Sequence, residues 1–242
     1  MPRLSSSIDG IKPHYTVVVV GSGYGGGIAA SRMARAGQAV CVLERGKEFQ
    51  PGEYPDTQLR AAEEMQMDTP AAHVGCKTGL YDFRVNDDMN VFLGCGLGGT
   101  SLVNANVSLR AEPRIFADAV WPEAIRAEAA AIAHPSGEKP LLEVGYELAE
   151  QMLQPQPYPE NYPPLPKLEA QAESAKGLNA CFYRPPINVT FEDRINFAGV
   201  QQHKCTNCGD CVSGCNYGAK NTVLMNYLPD AKNHGAEIFT QT

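Results

Sequence analysis

Residues 15–27 read YTVVVVGSGYGGG, and no other stretch limits the fold of this chain so strongly. YTVVVV (15–20) is a short β-branched run of the kind that forms a strand buried on both faces, and it runs straight into glycine. IAASRMARAG (28–37) follows with helix-forming residues, closed by Gly37 as a helix C-cap. AVCVLE (39–44) reads as a second buried strand. Together they predict a βαβ unit, the opening of a doubly wound α/β sheet. Gly21, Gly23 and Gly26 fit G-x-G-x-x-G at the strand-to-helix junction where that motif has a physical use. The first glycine permits the tight turn, the second lets backbone approach a pyrophosphate, and the third allows helix to pack closely on strand. The helix N-terminus then offers oriented N–H groups to phosphate. Glu44, at the end of the second strand, is placed to accept hydrogen bonds from a ribose diol and would repel a 2'-phosphate. Three glycines can also make a plain turn, but strand, helix and acid together favour a dinucleotide. FAD and NAD both satisfy this geometry. Ser22, Tyr24, Gly25 and Arg45 count with these residues as candidate cofactor contacts.

The chain of 242 residues is 43% hydrophobic with a net charge of -7, enough to bury a sizeable core. The acidic balance and lack of a Lys/Arg cluster argue against nucleic acid or an anionic membrane as partner. VVVV is far too short to span a bilayer, so no transmembrane segment is expected. MPRLSSSIDGIKPH lacks the plan of a signal peptide, so the cytoplasm is the expected compartment. Without a secretory signal, clustered thiols read as ligands or redox groups rather than disulfides. Isolated Cys41, Cys95 and Cys181 need no function.

Four segments are expected: a tail (1–14), a nucleotide-binding part (15–110) with a loop or lid insert (46–90), insert and substrate-domain segments (111–200), and a cysteine-rich loop returning to the nucleotide-binding part (201–242). Within the lid, LRAAEEMQM (59–67) looks helical. NVFL (90–93) reads as a strand, EPRIFADAVWPEAI (112–125) and VGYELAEQML (144–153) as helices, and AAAIAHPSGEKP (129–140) as an irregular insertion. QPQPYPENYPPLP (154–166), with six prolines, is an extended connector. LEAQAESAKGL (168–178) reads as a helix and CFYRPPINVTF (181–191) as extended chain. NTVLMNYLPDAKNHG (221–235) is expected to be helical, capped by Asn221 or Thr222 and broken at Pro229, before a strand begins in AEIFTQT.

A second glycine-rich loop, GCGLGGTSLVNAN (94–106), follows the NVFL strand. Two such loops in one nucleotide-binding chain suit a ligand with a further segment beyond adenosine and pyrophosphate, which a flavin supplies better than nicotinamide. GSGYGGGIAA with VLERG, then GCGLGGTSLVN, resemble the FAD-binding half of the glucose-methanol-choline (GMC) oxidoreductases, whose second signature has the form G-x-x-L-G-G-x-S-x-x-N. Within that family the chain looks most like the cholesterol-oxidase-like branch and, more distantly, the long-chain alcohol oxidases. WPEAI, YELAEQML, FYRPPI and CTNCGDCVSGCNYGAKNT leading to NYLPDAKNHGAEI are similar to segments of that branch in the same order. Ser108 departs from the aromatic residue or alanine expected there.

The resemblance implies a Rossmann-like FAD-binding fold, with Gly94, Gly98, Gly99, Thr100, Ser101 and Asn104 along the pyrophosphate and flavin. It implies hydride transfer to flavin from the CH–OH group of a sterol or other bulky hydrophobic alcohol, with oxygen or an electron-acceptor protein taking the electrons. The family's catalytic histidine lies beyond residue 242, so no catalytic role falls on His14, His73, His134, His203 or His234. The chain is expected to be truncated at its C-terminus, lacking part of the sheet and the substrate-binding floor. The rivals are an NAD-dependent dehydrogenase, which the GGTSLVN loop disfavours, and a non-catalytic flavin or iron–sulfur electron-transfer module.

Cys205, Cys208, Cys211 and Cys215 stand at C-x2-C-x2-C-x3-C. This matches the bacterial ferredoxin run, but Asn216 replaces the following proline, and no second cluster exists for the fourth cysteine to serve. Zinc fits less well, because its ligand pairs come from separated segments. A metal-free structural loop is the third reading. A cluster near the flavin would pass electrons singly to a partner, as in a dehydrogenase; without one, reduced flavin could deliver them to oxygen. We expect residues 1–242 alone to show no alcohol-dependent turnover, and measurable turnover by the purified polypeptide would refute this.

Overall fold

The computed structural model describes residues 2–134 and 137–242. The chain divides into two units, one formed by Met1–Asn106 with Val189–Thr242 and the other by Val107–Asn188. The first unit opens with β1 (Val17–Val20), α1 (Tyr24–Arg35) and β2 (Val40–Glu44). Gly37 takes the positive φ that ends α1 without the cost a Cβ would bring. β1 and β2 are parallel, pairing Val17 with Val40 through Val20 with Leu43.

The loop or lid expected over 46–90 contains ordered elements instead. They are α2 (Gln58–Glu63), β3 (Met65–Asp68), β4 (His73–Gly75) and β5 (Tyr81–Arg84), followed by β6 (Val91–Gly94). The helix expected over 59–67 therefore stops early, and its second half is strand. β4-β3-β5-β6 form one mixed sheet. Its register puts Met65, Met67, Val74, Tyr81, Phe83 and Phe92 on one face. Gln66 and Asp82 lie buried on the other, where Asp82 accepts from Arg45 at 2.7 Å and from Arg84 at 3.1 Å.

The second unit holds α3 (Glu123–Ala133), α4 (Leu141–Leu153) and α5 (Pro166–Gly177). Residues 112–125 are only partly α-helical: a 3-10 turn spans Pro113–Ala117 and α3 starts at Glu123. The expected irregular insertion is helical up to Ala133, while its Pro135 and Ser136 lie outside the described residues. The proline-rich connector forms no helix before Pro166, turning once at Glu160 and Asn161, and Pro166 opens α5 where its missing N–H has no helical partner to lose. Arg110 joins Glu143 and Glu150 at 2.7 and 2.6 Å and lies over the Tyr146 ring.

The first unit resumes with β7 (Arg194–Ile195), β8 (Gln201–Gln202), α6 (Tyr227–Asn233) and β9 (Glu237–Thr240). β9 lies parallel to β2, giving the order β1-β2-β9. This is the parallel α/β arrangement that the βαβ pattern implies. Burial corrects one expectation: Val18 is 54% and Val20 84% exposed, so β1 is buried on one face only. Its Val19 side chain lies under α1 near Gly26, while β2 is flanked on both edges and its Val40, Cys41 and Val42 are buried. Pro229 does not break the last helix either. Asn226, not Asn221 or Thr222, carries the side-chain cap, accepting from Tyr227 N–H, and Pro229 falls in the first turn, where its lost donor would be unpaired anyway.

α1 packs on α6 and the 3-10 turn before it (Val223–Met225) through a close approach at Gly27, where a Cβ would come 2.3 Å from Val223 Cγ1 and 3.5 Å from Tyr227 Cβ. Beside it, Asp230 is 3% exposed and accepts from Ser31 Oγ at 2.5 Å and from Arg35 Nε at 2.8 Å. Burial pushes this carboxyl up, but the bonds from Arg35 and Ser31 outweigh it and hold it below the usual range. A depressed carboxyl contributes its stability above the unfolded value, about pH 4, and loses it as pH falls through the folded value. Asp230→Asn should lower stability near neutral pH by about 1–3 kcal/mol and flatten the acid limb. Urea unfolding between neutral pH and pH 3 checks this; an unchanged acid slope in the variant would contradict it.

Candidate dinucleotide site

The site is built where β1 and β2 end. Gly21 turns the chain with φ +86, and its N–H donates to Leu43 O at 2.8 Å, which ties the turn to β2. A Cβ at Gly26 would lie 1.9 Å from Gly21 O, so the loop and helix can meet this closely only with glycine there. Gly23 caps α1 without a side-chain hydrogen bond, leaving the first-turn N–H groups for an anion. Nothing stands within 4 Å of where a Cβ would project from Gly21 or Gly25.

The second loop lies against the first. Gly98 and Gly99 have φ of +118 and +58, and a Cβ at Gly99 would come within 2.6 Å of Gly23 Cα. Ser22, fully buried, joins the loops: its hydroxyl donates to Glu44 Oε2 at 2.6 Å and accepts from Gly98 N–H at 2.9 Å. Glu44 also accepts from Ser22 N–H at 2.9 Å and from Gly46 N–H at 2.8 Å. Gly46 presses on the Cys95–Gly96 backbone, and Leu97 N–H donates to Lys47 O at 2.9 Å.

The remaining signature residues mostly bond to protein. Ser101, fully buried, donates to Gly98 O at 2.6 Å and accepts from Val223 N–H at 3.0 Å. Asn104 Nδ2 donates to Tyr24 OH at 2.9 Å, and Thr100 Oγ1 accepts from Gly94 N–H at 3.3 Å. Arg45 turns to Asp82. The structure thus brings Gly21 to Gly26, Glu44, Gly94 and Gly98 to Asn104 together, and sends Arg45 to the neighbouring sheet.

Sequence reasoning did not single out Gly46, Val223 or Lys220. Lys220 is 2% exposed and donates to Leu102 O at 3.0 Å, Asn104 O at 2.8 Å and Cys211 O at 2.9 Å. Burial pushes its ammonium down to about 8, against the opposing pull of Cys211 and Cys215. A lysine after Gly-Ala in a buried, polar stretch was the signal available for it.

The cysteine loop is held from outside. Cys205 N–H donates to Thr190 O, Tyr81 OH donates to Ser213 O at 2.6 Å, and Asn216 Oδ1 accepts from the Gly52 and Tyr54 N–H groups. Gly214 packs under the Tyr54 ring. Cys205, Cys208, Cys211 and Cys215 line one cavity of about 20 Å³, room for a single water. Among the described residues no three Cys, His, Asp or Glu side chains group to hold a metal ion. Burial pushes the Cys205 and Cys211 thiols up. As arranged, the thiols do not fit an iron–sulfur cluster or a zinc ion.

Among the described residues no helix is long and apolar enough to cross a membrane. No family model matches the chain. A cholesterol oxidase of Mycobacterium tuberculosis is 27% identical over 96% of the chain and 39% of its own length. A long-chain-alcohol oxidase of Arabidopsis thaliana is 27% identical over 98% of the chain and 27% of its own length. An uncharacterized GMC-type oxidoreductase of M. tuberculosis is 30% identical over 92% of the chain and 30% of its own length. The chain thus spans about two fifths or less of these relatives. These likenesses extend over 92–98% of the chain and support reading it as a piece of a GMC-type oxidoreductase.

Proposed function

We propose that the chain forms the FAD-binding part of an oxidoreductase acting on the CH–OH group of a bulky apolar alcohol, a sterol or a long-chain alcohol. The packing of two glycine loops, locked by Ser22 between Glu44 and Gly98, carries this reading. The uncapped α1 N-terminus and the open space over Gly21 and Gly25 fit a pyrophosphate. The Glu44 carboxylate, with acceptor capacity beyond its present partners, suits a ribose diol. The second loop gives the extra length of backbone that a flavin requires and a nicotinamide does not.

Bound FAD supplies the hydride acceptor. The chain's own residues bind and orient it. Backbone N–H groups of the first turn of α1 hold phosphate, Ser22 keeps the two loops in register, and Asn104 fixes Tyr24 beside them. The proton must be taken by a group outside these loops. His73 pairs with Asp68, His203 stands beside Asp193, and His234 bonds to Asp230 O at the end of α6.

The purified protein should therefore carry flavin absorbance bands and release a yellow cofactor on denaturation, with iron and acid-labile sulfide absent. Flavin-free, well-folded protein would overturn the reading, and a broad cluster absorbance with labile sulfide would restore the ferredoxin-like reading of the cysteines. The loop contact is tested by Gly99→Ala, whose Cβ must part the two loops at a positive φ. Overpacking of about 1–3 kcal/mol predicts FAD affinity lower by roughly ten- to a hundredfold. Flavin-fluorescence titration measures it, and wild-type affinity would show that the loops need not touch.

A further inference from the structure

The cysteine loop contributes no metal site as it stands, yet it is tied to the glycine loops by one side chain. Lys220 is fixed at its backbone, where it bridges to Val189 and where Thr190 N–H donates to Ala219 O at 2.8 Å. Its side chain crosses a buried space and spends all three ammonium donors on main-chain carbonyls. Two of these, at Leu102 and Asn104, end the second glycine loop, and the third, at Cys211, lies in the middle of the cysteine run. Asn104 in turn reaches Tyr24 in the first turn of α1. A core lysine that served only to fill space would not need three carbonyls from two loops, and a hydrophobic residue would pack there at lower cost.

We propose that Lys220 is a positioning residue that couples the cysteine loop to the dinucleotide cradle. Holding Leu102 and Asn104 fixes the exit of the second glycine loop, and holding Cys211 makes the same ammonium sense where the cysteine run lies. Coupling of this kind is reciprocal: a ligand that orders the cradle must also restrain the cysteine loop, and only through an intact link. The inference rests on reading the glycine loops as the FAD cradle.

The experiment uses the whole chain, as wild type, Lys220→Arg and Lys220→Ala. FAD affinity is read by flavin fluorescence, and iodoacetamide labelling of Cys211 is followed by mass spectrometry with and without FAD. Lys220→Ala should bind FAD at least about tenfold more weakly, as expected for loss of a charged hydrogen-bonded group, with propylamine restoring much of the loss and propanol none. Lys220→Arg, which keeps the charge and its donors, should bind FAD more tightly than Lys220→Ala. FAD should slow Cys211 labelling several-fold in wild type and leave it unchanged in Lys220→Ala, as reciprocity requires. Wild-type FAD affinity in Lys220→Ala, rescue by propanol as well as by the amine, or protection of Cys211 that survives the substitution would overturn the proposal. If no variant binds FAD, the cofactor reading itself fails. Lys220 is then judged by labelling without ligand: faster modification of Cys211 in Lys220→Ala supports the strut, and equal rates refute it.

Discussion

The Ser22 hydroxyl is the point on which the nucleotide-binding end of the molecule turns. It is fully buried between the Glu44 carboxylate and the Gly98 N–H, so the end of β2, the first glycine loop and the second glycine loop meet at one oxygen. Glycine-rich backbone has more conformational freedom to lose than any other, and two such loops would not hold a ligand-binding shape by themselves. A charge-assisted bond in a buried site supplies the constraint that their sequence withholds. Glu44 extends it to Gly46, and Gly46 has no side chain to keep the turn after β2 away from Cys95 and Gly96.

From that junction the order spreads through bonds between residues distant in the chain. Ser101 passes it from Gly98 to Val223, and Asn104 passes it to Tyr24. α6 follows Val223 closely and is locked to α1 through Asp230. The parallel sheet thus carries the loops at its ends, while the helices on it are clamped by a second polar contact at the far end of α1.

The first glycine loop, α1 and Glu44 were legible in the sequence because their requirements are local: a positive φ at Gly21, an open helix start at Gly23 and an acid closing a strand. The roles of Ser101 and Lys220 were not, since the partners that matter most, Val223 for Ser101 and Leu102 and Asn104 for Lys220, lie more than a hundred positions away and no pattern of hydropathy encodes a serine that faces another loop. Of the second sheet only β6 was legible, in NVFL, and the rest escaped for a different reason. Its strands are three or four residues long and broken by glycine turns, too short for a period of two to stand out. β1 shows the converse limit. Four valines announce a strand, but what covers each face is a tertiary fact, and Val18 and Val20 remain open where Val19 is closed.

The cysteine run shows how much a spacing leaves unsaid. C-x2-C-x2-C-x3-C sets how far apart four thiols can be along the chain, but ligation also requires that they converge and ionise. In this chain the same short hops are anchored from outside by Tyr81 on Ser213, Tyr54 over Gly214 and Asn216 on the turn before Tyr54. Tyr81, Tyr54 and Lys220 meet the loop at its main chain and Asn216 ties it through its side chain, while burial pushes the Cys205 and Cys211 thiols up. A loop fixed by its backbone is positioned by its neighbours and needs no metal to hold its shape. In this arrangement small residues and turns at Gly209 and Gly214 let the carbonyl of Cys211 face Lys220, and through Lys220 the cysteine run becomes one wall of the support beneath the glycine loops.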